Sequence, residues 1–237
     1  MAGTDSHEVS QLNELKIDLD AIAVIAHYNA NSDIIMDEQM PMFGGYAGGI
    51  EETTIVDIAT HINSVVMSNA SWHLDGPVHI HWGSTNTRET LMIAGWACAT
   101  ISEFTDILSG NQYYPCAGPC TEMCLLEASA QSITDTASGR EIISGVASAK
   151  GVVTDKTTGM EARMMGEVAR ATAGVEIPEV NRILNGLVSL YEKNYASAPA
   201  GKTFQECYDI KTVSPTDEYM QVYDGARKKL EDLGLVF

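Results

Sequence analysis

Short apolar runs alternate with longer stretches of helical periodicity through the first two thirds of the chain, and this alternation limits the fold more than any other feature. Residues 22–27 form an apolar run with β-branched members and read as a buried strand. Ile55, Ile58, Ala59, Ile62, Val65 and Val66 recur at helical spacing, which predicts an amphipathic helix with that face packed inward. Glu51 and Glu52 suit its first turn. Residues 78–82 read as a strand, and residues 87–104 as a long helix covered on most sides. Residues 110–120 read as an irregular connection, followed by a helix reaching Thr134. Two readings stay open for residues 140–155: a strand and a turn, or a helix and a short strand.

The remainder is helical. Residues 159–171 read as one helix. Val180, Ile183, Leu184, Leu187, Val188 and Tyr191 mark another, with Pro178 in its first turn. Thr203 with Glu206 predicts a capping box. A last helix opens after Ser214 and Pro215 and stops near Gly234. Strand-like pieces alternating with helices predict an α/β fold with a largely parallel sheet. About four strands are visible, roughly half the number in a closed eight-stranded barrel.

Charge narrows the function. Acidic residues number 32 against 14 basic ones, a formal net charge of -18. Phosphate backbones need a basic footprint, so nucleic acid is excluded as the main partner. No basic leader precedes an apolar run, and no apolar run reaches the length of a membrane span, so no membrane partner is expected. The five cysteines, an odd number, read as reduced thiols in a cytoplasmic protein.

Several motifs invite chemistry. Gly201, Lys202 and Thr203 resemble the end of a phosphate loop, but the required earlier glycine is Ala196, and a helix cap explains Thr203. Cys116, Cys120 and Cys124 are four apart, a spacing that fits buried thiols at a loop-to-helix joint better than a zinc knuckle. His79 and His81, two apart on the expected strand, face one way. With His73, Asp75 and His27 they make a candidate metal site of a hydrolase. Glu8, Glu38 and Gln112 sit in loop-like settings, where strand ends carry chemistry in barrel folds. The polar cluster Asp5, Ser6, His7 and Glu8 reads as the end of a working element whose earlier part is missing.

Five segments carry a resemblance: TDSHEVSQLNELKIDLD (4–20), DEQMPMFGGYAGGIEETT (37–54), WHLDGPVHIHWGSTNTRETL (72–91), GNQYYPCAGPCTEMC (110–124) and VYDGARKKLEDLGLVF (222–237). Together they resemble the C-terminal half of the monomethylamine methyltransferases of methanogenic archaea. The resemblance implies that residues 1–237 are the C-terminal portion of a single TIM-type (β/α)8 barrel domain, a partial barrel without its N-terminal half. It implies transfer of the methyl group of monomethylamine to the cobalt of a corrinoid protein, with release of ammonia, in methanogenesis. The cobalamin-type corrinoid is carried by the partner protein, and no metal or cofactor is assigned to this chain. The reactive pyrrolysine of the family belongs to the N-terminal half, and a hexamer is the expected oligomer.

Carried over by motif, Glu8 and Glu38 match two carboxylates beside the pyrrolysine ring, and Gln112 matches the amide beside it. The residues 1–4 depart from the family pattern, which implies a gene read from an internal start. Two other readings are a catalytically silent interaction fragment and the metal-dependent hydrolase using His79 and His81.

Overall fold

Parallel strands need long return connections, and this chain supplies helices for them. The computed structural model describes residues 6–10 and 18–237. In chain order the first part runs β1 (Ser6–Ser10), α1 (Leu19–Ala30), β2 (Ile34–Glu38), β3 (Met42–Phe43), α2 (Ile50–Ser68), β4 (Trp72–Asp75) and β5 (Val78–His79). It continues through α3 (Arg88–Phe104), β6 (Ser109–Tyr113), α4 (Glu122–Ser138) and β7 (Ile142–Val146). The last part holds α5 (Gly159–Thr172), α6 (Ile177–Tyr191), the short α7 (Phe204–Cys207), β8 (Tyr208–Asp209), β9 (Ser214–Pro215) and α8 (Asp217–Asp232).

The main sheet has five strands in the order β1-β2-β4-β6-β7, and every pair in it is parallel. The strands β3 and β5 form a small parallel pair, and β8 and β9 an antiparallel one. The structure is therefore mixed α/β with a parallel sheet, as expected.

Several elements differ from the sequence reading. Residues 22–27 are helical, within α1. Asp18 caps that helix by accepting from the N–H groups of Asp20 and Ala21, and twelve residues are long for a strand. None of its residues is buried. Ser6, His7 and Glu8 lie on the strand β1. Asp5, residues 1–4 and residues 11–17 lie outside the described residues. The strand at residue 78 stops at His79, and His81 lies in the turn that follows. Residues 109–113 are a strand, not an irregular connection. In 140–155 the strand reading holds, followed by a 3-10 turn at Ala149–Gly151.

Alternate residues of a strand point to opposite faces, so register sorts the sheet. Glu8 lies opposite Met36, Glu38 opposite Leu74, and Leu74 opposite Gly110. These residues and Gln112 share one face. Asp37, His73, Asp75 and Asn111 share the other, which α2, α3 and α4 cover.

The helix α2 covers that second face with its polar side. Thr53, Thr54, Asp57, His61, Ser64 and Ser68 are its buried residues. Ile55 is 67% exposed, Ile62 48% and Val66 77%. This overturns the inward-facing apolar stripe. The strands it meets present Asp37, His73 and Asp75, so a polar helix face satisfies groups that an apolar one would leave without partners. Ser68 donates to Asp37, and Thr60 and His73 are hydrogen-bonded at 3.4 Å. The helix α3 is also less covered than expected, with Trp96 and Phe104 exposed.

The apolar core lies beyond the sheet, where α4, α5, α6 and α8 meet. Leu125, Ile133, Met164, Val168, Ile183, Leu187 and Leu230 are all buried there. Capping boxes at Thr158 and Thr203 start α5 and α7, and Pro178 occupies the first turn of α6. All five cysteines are free and buried. Among the described residues no helix is long and apolar enough to cross a membrane.

One backbone crossing fixes the loop before α4 against the loop before α7. The N–H of Gly118 donates to Pro199 and that of Lys202 to Pro119, each at 2.9 Å. A Cβ at Gly118 would lie 2.0 Å from the Ala200 carbonyl oxygen. Gly118→Ala is therefore expected to destabilise the fold by about 1–3 kcal/mol, read as a lower urea midpoint with an unchanged slope.

Candidate active site at the carboxyl edge of the sheet

Glu8, Glu38 and Gln112 come from three different strands, and the structure brings them to the same face of the sheet. Glu8 is the third residue of β1, Glu38 the last of β2 and Gln112 the fourth of β6. Glu8 and Glu38 are hydrogen-bonded to one another. Burial, that hydrogen bond and the Glu8 charge together push the Glu38 carboxyl up to about 7. No cation is among the groups that act on it. The Glu38 carboxyl therefore keeps a proton up to near neutrality.

Gln112 is fixed by its neighbours. Ser144 Oγ donates to its Oε1 at 3.2 Å, and the Tyr114 hydroxyl hydrogen-bonds to the same side chain. Gln131 Nε2 holds the Gln112 carbonyl at 3.1 Å, and Thr85 Oγ1 links Gln131 (2.6 Å) to the Tyr114 N–H (2.9 Å). The register between β6 and β7 shifts here: Asn111 faces Ile143, but Tyr113 faces Val146. Two β7 residues, Ser144 and Gly145, thus stand against Gln112. Such a bulge re-aims a side chain beside a site, and here it brings Ser144 onto the amide. Burial raises the Tyr114 hydroxyl, with Glu38 and Glu8 adding to the shift.

Tyr114 and Ser144 escaped the sequence reading. Tyr114 stands two residues after Gln112, a period that hints at a shared face. Ser144 had no such signal, because its position depends on the bulge.

The other candidates separate. The Nδ1 of His79 accepts the His81 N–H at 3.1 Å, while His81 itself is exposed. His27 is exposed on α1. Among the described residues, the group of metal-ligating side chains that converges is Asp57, His61 and Asp75, and neither His79 nor His81 belongs to it. The hydrolase centre expected on those two histidines is not assembled. Lys202 bonds to Glu218 and Thr203 caps α7, so residues 201–203 are a helix start.

The fold and this geometry define an α/β protein with two carboxyls and an amide gathered on one face of a parallel sheet. The family model for the monomethylamine methyltransferase MtmB matches residues 1–235, and the chain belongs to that family. It is 92% identical over 237 residues to monomethylamine methyltransferase MtmB1 of Methanosarcina barkeri, covering 100% of this chain and 52% of that protein. It is 91% identical over 234 residues to monomethylamine methyltransferase MtmB of Methanosarcina mazei, covering 99% of this chain and 51% of that one. The crystal structure of the M. barkeri monomethylamine methyltransferase matches with a TM-score of 0.98 at 92% identity, over 100% of this chain and 52% of that chain. A crystal structure of a hydroxylamine complex of MtmB matches equally, with a TM-score of 0.98. The chain spans about half the length of the relatives it matches.

Proposed function

We propose that these residues supply the C-terminal portion of a TIM-type barrel in a monomethylamine methyltransferase that methylates the cobalt of a corrinoid protein and releases ammonia. The carboxyl pair Glu8–Glu38 carries the reading. Methylamine is a cation near neutral pH, and it becomes a nucleophile only after losing a proton. A carboxyl held at about 7 accepts that proton and can return it. Gln112, locked by Ser144 and Tyr114, presents a fixed amide for orienting a neighbouring polar ring.

The donor set also fits the pyrrolysine that the family resemblance implies for the other half. Two carboxyls and an amide share one face, and Glu38 is opposed by no cation. Pyrrolysine would supply an electrophilic imine when present, and the partner's corrinoid would supply the accepting cobalt. Glu8, Glu38 and Gln112 would line its ring, with Glu38 and Glu8 moving the proton. Positioning accounts for the rest, since methyl transfer to a metal depends on alignment. A relative crystallised as a hydroxylamine complex supports a site for small nitrogen nucleophiles.

The same reading places the protein in the cytoplasm, where its five thiols stay reduced, and in a homo-oligomer of hexamer type. The exposed apolar residues on α2 are consistent with association.

The test is methylamine-dependent methylation of the corrinoid protein, followed by its visible absorbance. A full-length protein containing these residues is expected to support it. A polypeptide of these 237 residues alone is expected to give none. Failure of the full-length protein would overturn the reading, and transfer by the short one would overturn the need for the other half.

A further inference from the structure

The polar layer between α2 and the sheet contains groups that the methyltransferase reading does not use. Asp57 and His61 stand one turn apart on α2, and Asp75 ends β4. All three are 0% exposed. Their ligand atoms lie within 4.8 Å of one another. Neither Asp57 carboxylate oxygen has a hydrogen-bond partner, nor does His61 Nε2 or Asp75 Oδ1.

The outer contacts of these side chains are made. His61 Nδ1 is 2.8 Å from the Asp57 carbonyl oxygen, so it carries the proton and donates. That leaves Nε2 as a lone pair. It faces Asp75 Oδ2 at 3.5 Å, acceptor against acceptor. Asp75 Oδ2 in turn accepts from Arg140 Nη1 at 2.8 Å. A histidine whose far nitrogen is tied to a backbone carbonyl, and a carboxylate held by a guanidinium, are the outer supports of metal ligands. Arg140 also stands 3.5 Å from Asp135, another buried carboxylate. Asp57, Asp75 and Asp135 are buried around a single guanidinium, and burial disfavours their charged forms, so a divalent ion bound there would supply the positive charge that one arginine does not.

We propose that Asp57, His61 and Asp75 bind one divalent metal ion of zinc type, as a structural centre that joins α2 to the sheet. One imidazole with carboxylates is a borderline donor set, suited to zinc rather than to calcium or magnesium. The 3.5 Å between His61 Nε2 and Asp75 Oδ2 is close to the edge of a tetrahedron with bonds of about 2.0–2.2 Å. The centre is enclosed on the helix side of the sheet, so it holds structure and takes no substrate. The inference does not depend on the methyltransferase reading.

The test is zinc titration of a chelator-stripped full-length protein carrying these residues against a chromophoric chelator, with X-ray absorption at the zinc edge. About one ion per chain is expected, with nitrogen and oxygen neighbours at about 2.0–2.2 Å and no sulfur. Asp57→Asn and His61→Gln are each expected to weaken binding by at least about 10–100-fold, while His81→Gln leaves it unchanged. Absence of stoichiometric binding, a sulfur shell from the buried cysteines, or full retention in folded His61→Gln would each overturn the proposal. Should a variant fail to fold, the stoichiometry and the absorption shell of the unaltered chain still decide.

Discussion

In a full-length enzyme carrying these residues, Glu38→Gln is expected to lower methylamine-dependent methyl transfer by about 10²–10⁴-fold. The amide keeps the shape and loses the proton acceptor. With Glu38 intact, kcat/KM should fall as pH drops through about 7, because burial and Glu8 hold its carboxyl there. The Glu8→Gln variant removes one charge and the shared hydrogen bond, so the remaining carboxyl becomes more acidic and the limb moves to lower pH. A limb that stays in place would separate Glu38 from the rate. The sign for stability is opposite. Folding raises Glu38 from 4.5 toward 7, so the folded chain binds more protons in that window and loses stability as pH rises through it. Glu38→Gln should flatten that slope in urea unfolding, which separates a folding effect from a catalytic one.

The largest stability effect is expected at Arg140. Its side chain has no exposure and bonds to Asp75 at 2.8 Å, to the Gly110 carbonyl at 3.2 Å and to the Ala94 carbonyl at 3.3 Å. Arg140→Met fills much of the volume but leaves Asp75 and Asp135 without their cation. Removing one partner from a buried ion pair costs about 3–5 kcal/mol, measured here as the shift in urea midpoint. Adding Asp135→Asn to Arg140→Met should recover part of the loss, because it removes one of the stranded charges. A change of no more than about 0.5 kcal/mol in the single variant would place Arg140 with ordinary surface positions and refute the account.

The sequence carried the class of fold and the late helices well. Val180, Ile183, Leu187 and Val188 face the apolar core as their spacing demanded, because α6 packs against other apolar helices. The same rule failed at α2. Periodicity identifies which residues share a face, but it cannot say which face meets the sheet. That choice depends on Asp37, His73 and Asp75, which come from separate strands. For residues 22–27, a short β-branched run was equally compatible with a helix, and the cap at Asp18 outweighed composition.

The site was legible in part. Glu8, Glu38 and Gln112 were chosen by resemblance to a family, and the fold sets them on one face. Nothing local predicted the Glu8–Glu38 hydrogen bond, since it joins residues of two strands. Of the converging group Asp57, His61 and Asp75, the sequence singled out Asp75 alone, beside the closer pair His79 and His81, and left out Asp57 and His61. The spacing of Asp57 and His61, four apart on a helix, was available as a signal.

The reversed helix α2 has a practical consequence for anyone attaching probes to this protein. A hydropathy profile would steer a fluorophore or spin label to Asp57 or His61, where a cysteine would be sealed inside the layer. Ile55 and Val66, which the profile would reserve for the interior, are exposed on the single chain, so a label there would report whether association covers α2.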